Sequence, residues 1–210
     1  MKKEKFNKFS VPLGLLDYIN PIFYTITITT IIRNIYLSNP YNIIMIIGAV
    51  LSIVFGFIIP TGKVIVGLGL IKFKMPVSLV FTVNTGILLS GLILFNYVMN
   101  LNIILLLIII SLIIIILLSI YLKRKNYNTI AVLTGAIGYI LIYSSLIIQS
   151  IKTNNYLPTV FYAIAIILFF NLCKIGIKAN LKDPKVHWKI EISNVICQGL
   201  VAIGTILLFK

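Results

Sequence analysis

Residues 101–121 read LNIILLLIIISLIIIILLSIY and contain no charged side chain. A helix needs about 20 mostly apolar residues to cross the hydrocarbon core of a bilayer, so this stretch is long enough to span one. Its Ile and Leu residues occupy every side of a helix, which predicts a helix that faces lipid. The chain is therefore expected to be an integral membrane protein.

The composition of the whole chain agrees with this expectation. Hydrophobic residues make up 60% of the 210 residues and charged residues only 10%. Soluble domains contain about 45–50% apolar and about 25% charged residues, so this chain has too few polar groups to cover a surface facing water. We expect residues 1–210 to form one membrane domain, since the loops between its apolar stretches are short.

Seven stretches are long and apolar enough to be spans, which predicts an all-α bundle of seven transmembrane helices. The first is rich in Thr and other β-branched residues and could be read as a strand, but a lone strand in lipid leaves its backbone groups unsatisfied. A helix is therefore the better interpretation of this segment too. The predicted spans are 19–37, 41–60, 76–97, 101–121, 129–149, 157–174 and 189–209.

The distribution of basic residues predicts the orientation of these spans. Fifteen of the 18 lysines and arginines precede span one or lie in or beside the connections after spans two, four and six. Cytoplasmic loops are enriched in Lys and Arg, so we expect a multi-pass protein of the plasma membrane with a cytoplasmic N-terminus and an external C-terminus. Residues 61–75, which include Lys63, are either a re-entrant segment or a cytoplasmic turn.

The last span carries an aligned set of polar residues. At 100° per residue, they fall within about 60° of one another on a helix. Such a stripe predicts a path for a solute or ion, because ionisable residues inside membranes usually serve function. The alternative is that these side chains hydrogen-bond neighbouring helices and stabilise the bundle. The stripe consists of His187, Glu191, Asn194, Gln198 and Thr205.

The first span offers partners for this stripe. Asp17, Asn20, Tyr24 and Thr27 have the spacing of one helix face and begin at the same cytoplasmic end. Pro21 suits the first turn of a helix that starts near Asn20, which would leave Asp17 just outside it. The candidate ligand or ion path comprises Glu191, Asn194, Gln198, His187, Asp17 and Asn84.

Small residues recur at every fourth position in spans three and five. They include Ser78, Thr82, Gly86 and Ser90 in span three and two pairs in span five, Ala131 with Gly135 and Thr134 with Gly138. Small residues allow close approach of another helix, either within the chain or in a homo- or hetero-oligomer. We expect spans one, three, five and seven to form a packed centre, with span four as a wall facing lipid.

The residue types that are scarce restrict the function. One histidine and two cysteines, without a CxxC pair, give no reason to expect a metal, a haem or another cofactor. The net charge of +14 comes without a nucleic-acid-binding motif, and no catalytic nucleophile motif is present, so we lean away from an enzyme. The leading hypothesis is a transporter or permease component for a small solute or ion. The alternatives are a non-catalytic subunit that docks partner helices and an enzyme acting on lipid headgroups at the inner leaflet.

Overall fold

The computed structural model describes residues 10–35, 42–70, 76–124, 127–178 and 184–210, which are helical apart from short turns. The all-α class expected from the sequence is confirmed for these residues. The helices are α1 (Val11–Asp17), α2 (Ile19–Ile35), α3 (Asn42–Gly67), α4 (Val77–Met99), α5 (Ile103–Arg124), α6 (Tyr127–Lys152), α7 (Tyr156–Lys178) and α8 (Pro184–Leu208).

Six helical segments in the described part of the chain are long and apolar enough to cross a membrane. They correspond to α1 with α2, and to α3, α4, α6, α7 and α8. α5 contributes a shorter apolar stretch, Ile108–Ile120. The chain is thus a helical, membrane-embedded protein, as the composition predicts.

The long helices form a closed ring. Going round it, α2 packs against α3, α3 against α4, α4 against α6, α6 against α7, α7 against α8, and α8 against α2. The predicted centre of spans one, three, five and seven is therefore wrong in part, because α3 and α7 complete the ring. α5 lies outside it against α6, with exposed residues on several sides, as predicted for the lipid-facing wall: Leu105, Ile108, Leu112, Ile114, Ile115, Ile116 and Leu118.

The first span is a helix with a break at Tyr18, between α1 and α2. Pro21 is the third residue of α2 and has no N–H to donate to the carbonyl of Asp17, so one hydrogen bond of the regular helical pattern is missing here. Two threonines of this span bond the backbone of their own helix through their hydroxyls: Thr25 donates to the carbonyl of Pro21 and Thr29 to that of Thr25. The helical interpretation of this segment is confirmed.

The second span is longer than predicted. The predicted span ended at residue 60, yet α3 passes through Pro60, continues to Gly67 and includes Lys63. A proline can remain within a helix when tertiary packing compensates for the lost hydrogen bond, and here α1 packs on the extension. A methyl group added at Gly14 would lie 2.8 Å from Cγ2 of Val64. Residues 61–67 are thus part of a helix, and residues 71–75 lie outside the described part.

Asparagines form the turns at one end of the bundle. Asn100 ends α4 in the left-handed conformation (φ 50°), and Asn102 caps α5 by accepting a hydrogen bond from the backbone of Leu105 at 2.9 Å. Lys152, at the end of α6, donates to the carbonyl of Val98, near the end of α4. Asn155 donates to the carbonyl of Leu207, near the end of α8, at 2.9 Å. α4, α6 and α8 therefore end on the same side of the bundle.

Glycines allow α4 to approach both of its neighbours closely. A methyl group at Gly48 of α3 would lie 2.7 Å from the carbonyl oxygen of Gly86, and one at Gly138 of α6 would lie 2.7 Å from the backbone nitrogen of Leu88. The predicted small-residue faces are thus occupied within the chain at these points. Assembly of several chains through the same faces remains a prediction.

Candidate functional site

The polar stripe of α8 faces the interior of the ring. Glu191, Gln198 and Thr205 are buried, whereas the large apolar residues on the other side of the helix are exposed. Those exposed residues are Ile192, Ile196, Ile203 and Ile206. An amphipathic helix turned in this direction buries its polar side and presents its apolar side outwards, the reverse of a helix in a soluble protein.

A buried ion cluster lies at the end of the ring where α2 and α8 begin and α3 ends. The ammonium of Lys63 lies 2.7 Å from Oδ2 of Asp17 and 2.7 Å from Oε1 of Glu191. The Asp17 and Glu191 side chains are only 10% and 9% exposed, and that of Lys63 12%. One lysine from α3 therefore joins carboxylates from the two ends of the chain.

Asn20 forms a second bridge between the same carboxylates. Its Nδ2 donates to Oδ1 of Asp17 at 3.1 Å and to Oε2 of Glu191 at 3.2 Å. An ionised carboxylate only accepts hydrogen bonds, so the amide nitrogen must be the atom that faces both acids. This orientation turns Oδ1 of Asn20 away from the acids, where it is buried without a hydrogen-bond partner.

Two further buried hydroxyl groups follow along α2. The hydroxyls of Tyr24 and Thr27 have no hydrogen-bond partner, although Tyr24 is 6% exposed and Thr27 only 3%. The Tyr24 hydroxyl lies near Ser52 and Ser90 without a hydrogen bond of normal geometry to either. Buried polar groups normally have partners, so unpartnered ones mark a place where a ligand or water belongs.

A cavity of about 150 Å³ adjoins the cluster inside the ring. Six helices, α1, α2, α3, α4, α6 and α8, contribute to its wall, and Asp17 lies at the end next to the cluster. The described residues of the wall combine carboxylate, amide and hydroxyl groups with two tyrosine rings, and none of them is basic. The lining residues are Asp17, Asn20, Pro21, Tyr24, Ser52, Gly56, Ile59, Val83, Ile87, Tyr139 and Asn194.

The structure brings together some of the predicted site residues. Asp17 and Glu191 share the lysine, and Asn194, one turn after Glu191, lines the cavity. Gln198 lies deeper, where its Nε2 donates to the hydroxyl of Tyr143 at 3.4 Å. That ring packs on Tyr139, a cavity residue, with the centroids 5.7 Å apart.

Two predicted site residues lie elsewhere. Asn84 donates to the backbone carbonyl of Ala131 at 2.7 Å, so it joins α4 to α6. His187 is half-buried one turn before Glu191 and is not part of the cavity wall. In the described part of the chain, no group of three or more His, Cys, Asp or Glu side chains is placed to hold a metal ion.

Lys63 is a site residue that is absent from the predicted set, because the predicted spans leave it in a connection between helices. The signal was present in the spacing of α3: Ser52, Gly56, Ile59 and Lys63 follow one another at intervals of four, three and four residues. These intervals place all four on one helix face. Three of them line the cavity, and the fourth binds its acids.

Comparison with known proteins gave no family: no family model, no curated protein and no solved structure matches the chain.

Proposed function

We propose that this protein is a transporter or permease component that moves a small solute or ion across the plasma membrane. The observation that carries the proposal is the polar cavity beside the buried Asp17–Lys63–Glu191 cluster, inside a ring of membrane-spanning helices. Ionisable groups at membrane depth are costly to bury, and they usually mark the pathway of a substrate, ion or proton.

The positions of the helix ends support a count of seven spans. α4 and α6 end on the same side of the bundle, which supports a return crossing by α5 between them. α2 and α8 both begin beside the cluster, which supports an odd number of crossings. The excess of basic residues near that end favours its location in the cytoplasm.

A purely structural role explains the cluster less well. Replacing a buried ion pair by apolar residues of similar size is often neutral or stabilising, so bundle stability alone gives little reason to keep three charges here. A catalytic role in lipid chemistry is also less favoured, since both acids are engaged by Lys63 at 2.7 Å and a general base must be able to accept a proton.

The test is flux through purified protein reconstituted in liposomes. Uptake or leak of ions and small solutes is measured for wild type, Glu191→Gln and Gln198→Leu. Thr29→Val on α2 is the matched control, because its hydroxyl is exposed and bonds only its own helix. We expect at least a tenfold loss of flux in Glu191→Gln, a smaller loss in Gln198→Leu and wild-type flux in the control.

The proposal would be contradicted if liposomes containing the wild-type protein showed no more uptake or leak than liposomes without protein. It would also be contradicted if neither substitution changed the flux. In either case the helix-docking alternative becomes the better explanation of the polar stripe.

A further inference from the structure

We propose that the cavity binds one small monovalent cation, which competes with the Lys63 ammonium for the Asp17 and Glu191 carboxylates. The inference rests on the proposed transport function and gives the class of its substrate or coupling ion. The ligand is either an inorganic ion or a small primary ammonium compound, because both offer a single positive charge of small size.

The net charge of the ion cluster favours a cation as the ligand. The cluster contains two carboxylates and one ammonium, so it carries a net charge of −1 when all three are ionised. Those wall residues that the structure describes add no positive charge to the cluster. A buried excess charge is strongly unfavourable, and one further positive charge in the cavity would neutralise it.

Unpartnered oxygen atoms near the cavity also favour a cation as the ligand. The unpartnered Oδ1 of Asn20 and hydroxyl of Tyr24 belong to cavity residues that are 8% and 6% exposed. Hard cations prefer ligands of this kind, namely carboxylate, amide and hydroxyl oxygens. The rings of Tyr24 and Tyr139 could also face an organic ammonium group.

The two prolines near the cavity each leave one backbone carbonyl without its usual helical hydrogen-bond donor. Pro21 cannot donate a hydrogen bond to the carbonyl of Asp17, and Pro60 cannot donate one to that of Gly56, since proline lacks an N–H. Asp17 and Gly56 both line the cavity. Carbonyls released where a membrane helix is interrupted are a common means of coordinating cations.

Lys63 supplies the reason for competition. Its ammonium is held at the end of a flexible four-carbon chain, between the two acids that an entering cation would approach. A tethered ammonium of this kind keeps the site neutralised in part while the cavity is empty of ligand. Removing it should therefore strengthen cation binding.

The size of the cavity limits the ligand. At about 30 Å³ per water molecule, a volume of about 150 Å³ holds roughly five waters. A partly hydrated alkali ion, ammonium or methylammonium fits this space, and the much larger N-methyl-D-glucamine serves as the reference cation.

The experiment measures the melting temperature of the full-length protein in mild detergent. Chlorides of Li⁺, Na⁺, K⁺, ammonium and methylammonium are titrated against N-methyl-D-glucamine chloride at constant ionic strength. A ligand that binds only the folded state raises the melting temperature in a saturable manner. We expect this for at least one of the cations, and which of them acts distinguishes an inorganic ion from an ammonium compound.

Substitutions assign the effect to the site. Lys63→Met should lower the half-saturating concentration by about tenfold or more, because the competing charge is gone. Glu191→Gln should abolish the cation-dependent shift. Tyr24→Phe removes a hydroxyl that has no hydrogen-bond partner, so the protein should fold normally while the half-saturating concentration rises several-fold. Thr29→Val should behave as wild type.

The inference is overturned if no cation raises the melting temperature above the reference salt, or if Lys63→Met weakens the effect and Tyr24→Phe leaves it unchanged. Its failure is distinguishable from that of the proposed function. Saturable cation binding without flux in liposomes would contradict transport alone. If the protein moved a neutral solute at a rate that did not depend on the cation present, only the cation site would be contradicted.

Discussion

At the residue scale, the members of the ion cluster are not equivalent. Lys63 is the positive partner of two buried acids, whereas Asp17 and Glu191 share that one partner. Loss of the lysine leaves two uncompensated negative charges side by side. Loss of one carboxylate leaves a neutral pair, with Asn20 still able to bridge the two side chains.

We therefore predict opposite effects of two substitutions on stability. Lys63→Met should lower the free energy of unfolding by about 3–5 kcal/mol, the usual cost of removing one partner of a buried ion pair. Glu191→Gln should melt at or above the wild-type temperature, because it removes the repulsion between the carboxylates. Thermal unfolding in detergent with only N-methyl-D-glucamine as the salt cation measures both.

A marked loss of stability in Glu191→Gln would contradict this prediction. It would indicate that the second carboxylate is needed to hold α8 against α2 and α3, and that the stripe is chiefly architectural.

At the element scale, the close packing of α4 makes particular glycines sensitive. A methyl group at Gly138 would lie 2.7 Å from one backbone atom of α4 and 2.8 Å from two others, which is too close without a shift of the helix. Gly56 offers a contrast, since a methyl group there would meet only Cβ of Pro21, at 3.4 Å.

Gly138→Ala should therefore destabilise the protein by about 1–3 kcal/mol, as overpacking does elsewhere. Gly56→Ala should be neutral or slightly stabilising, since alanine favours helix more than glycine does. Chemical or thermal unfolding of the two variants gives the comparison, and equal stability of the two would contradict the close α4–α6 contact.

The proline within α3 gives a prediction about both stability and binding. Pro60→Ala restores an N–H that can bond the carbonyl of Gly56, so the free energy of unfolding should rise by about 1 kcal/mol or more. The new hydrogen bond would occupy the carbonyl oxygen of Gly56, which is a proposed ligand of the cation. The half-saturating cation concentration should therefore increase. Melting curves with and without the cation measure the two effects together; a stabilised variant with unchanged affinity would exclude the Gly56 carbonyl as a ligand.

The elements also show what the sequence could and could not predict. The helices were readable because long apolar runs and asparagine turns depend on local chemistry, as at Asn100 and Asn102. The extension of α3 beyond Pro60 could not be predicted from the sequence, because it depends on tertiary packing by α1. Because the predicted end of span two lay at residue 60, Lys63 was not predicted to lie on a helix beside the two carboxylates.

At the scale of the whole molecule, the contact between the first and last long helices determines the site. The stripe on α8 and the polar face of α2 could each be found by helical spacing, but spacing does not reveal which helices are neighbours. Only the closed ring brings Asp17 and Glu191 within reach of one lysine. Their part in binding remains a prediction.

Whether the chain crosses the membrane an odd or an even number of times can be tested on the intact protein. In a variant without native cysteines, Ser10→Cys and Lys210→Cys place single thiols at exposed positions near the two ends of the described chain. An odd number of crossings predicts that a membrane-impermeant maleimide added to intact cells labels Lys210→Cys. Ser10→Cys should react only after permeabilisation. Labelling of both from the same side would contradict seven spans.

The hydrogen bond from Asn20 to Glu191 joins residues 171 positions apart, and this separation affects biosynthesis. A ribosome adding about 5–20 residues per second needs on the order of ten seconds to proceed from Lys63 to Glu191. During that interval the nascent chain can already pair Asp17 with Lys63 one to one, as a neutral couple. Glu191, the second acid, is made only with the last helix, α8. The net negative charge of the cluster therefore forms only when α8 closes the ring. Unfinished chains in the membrane do not yet contain the site.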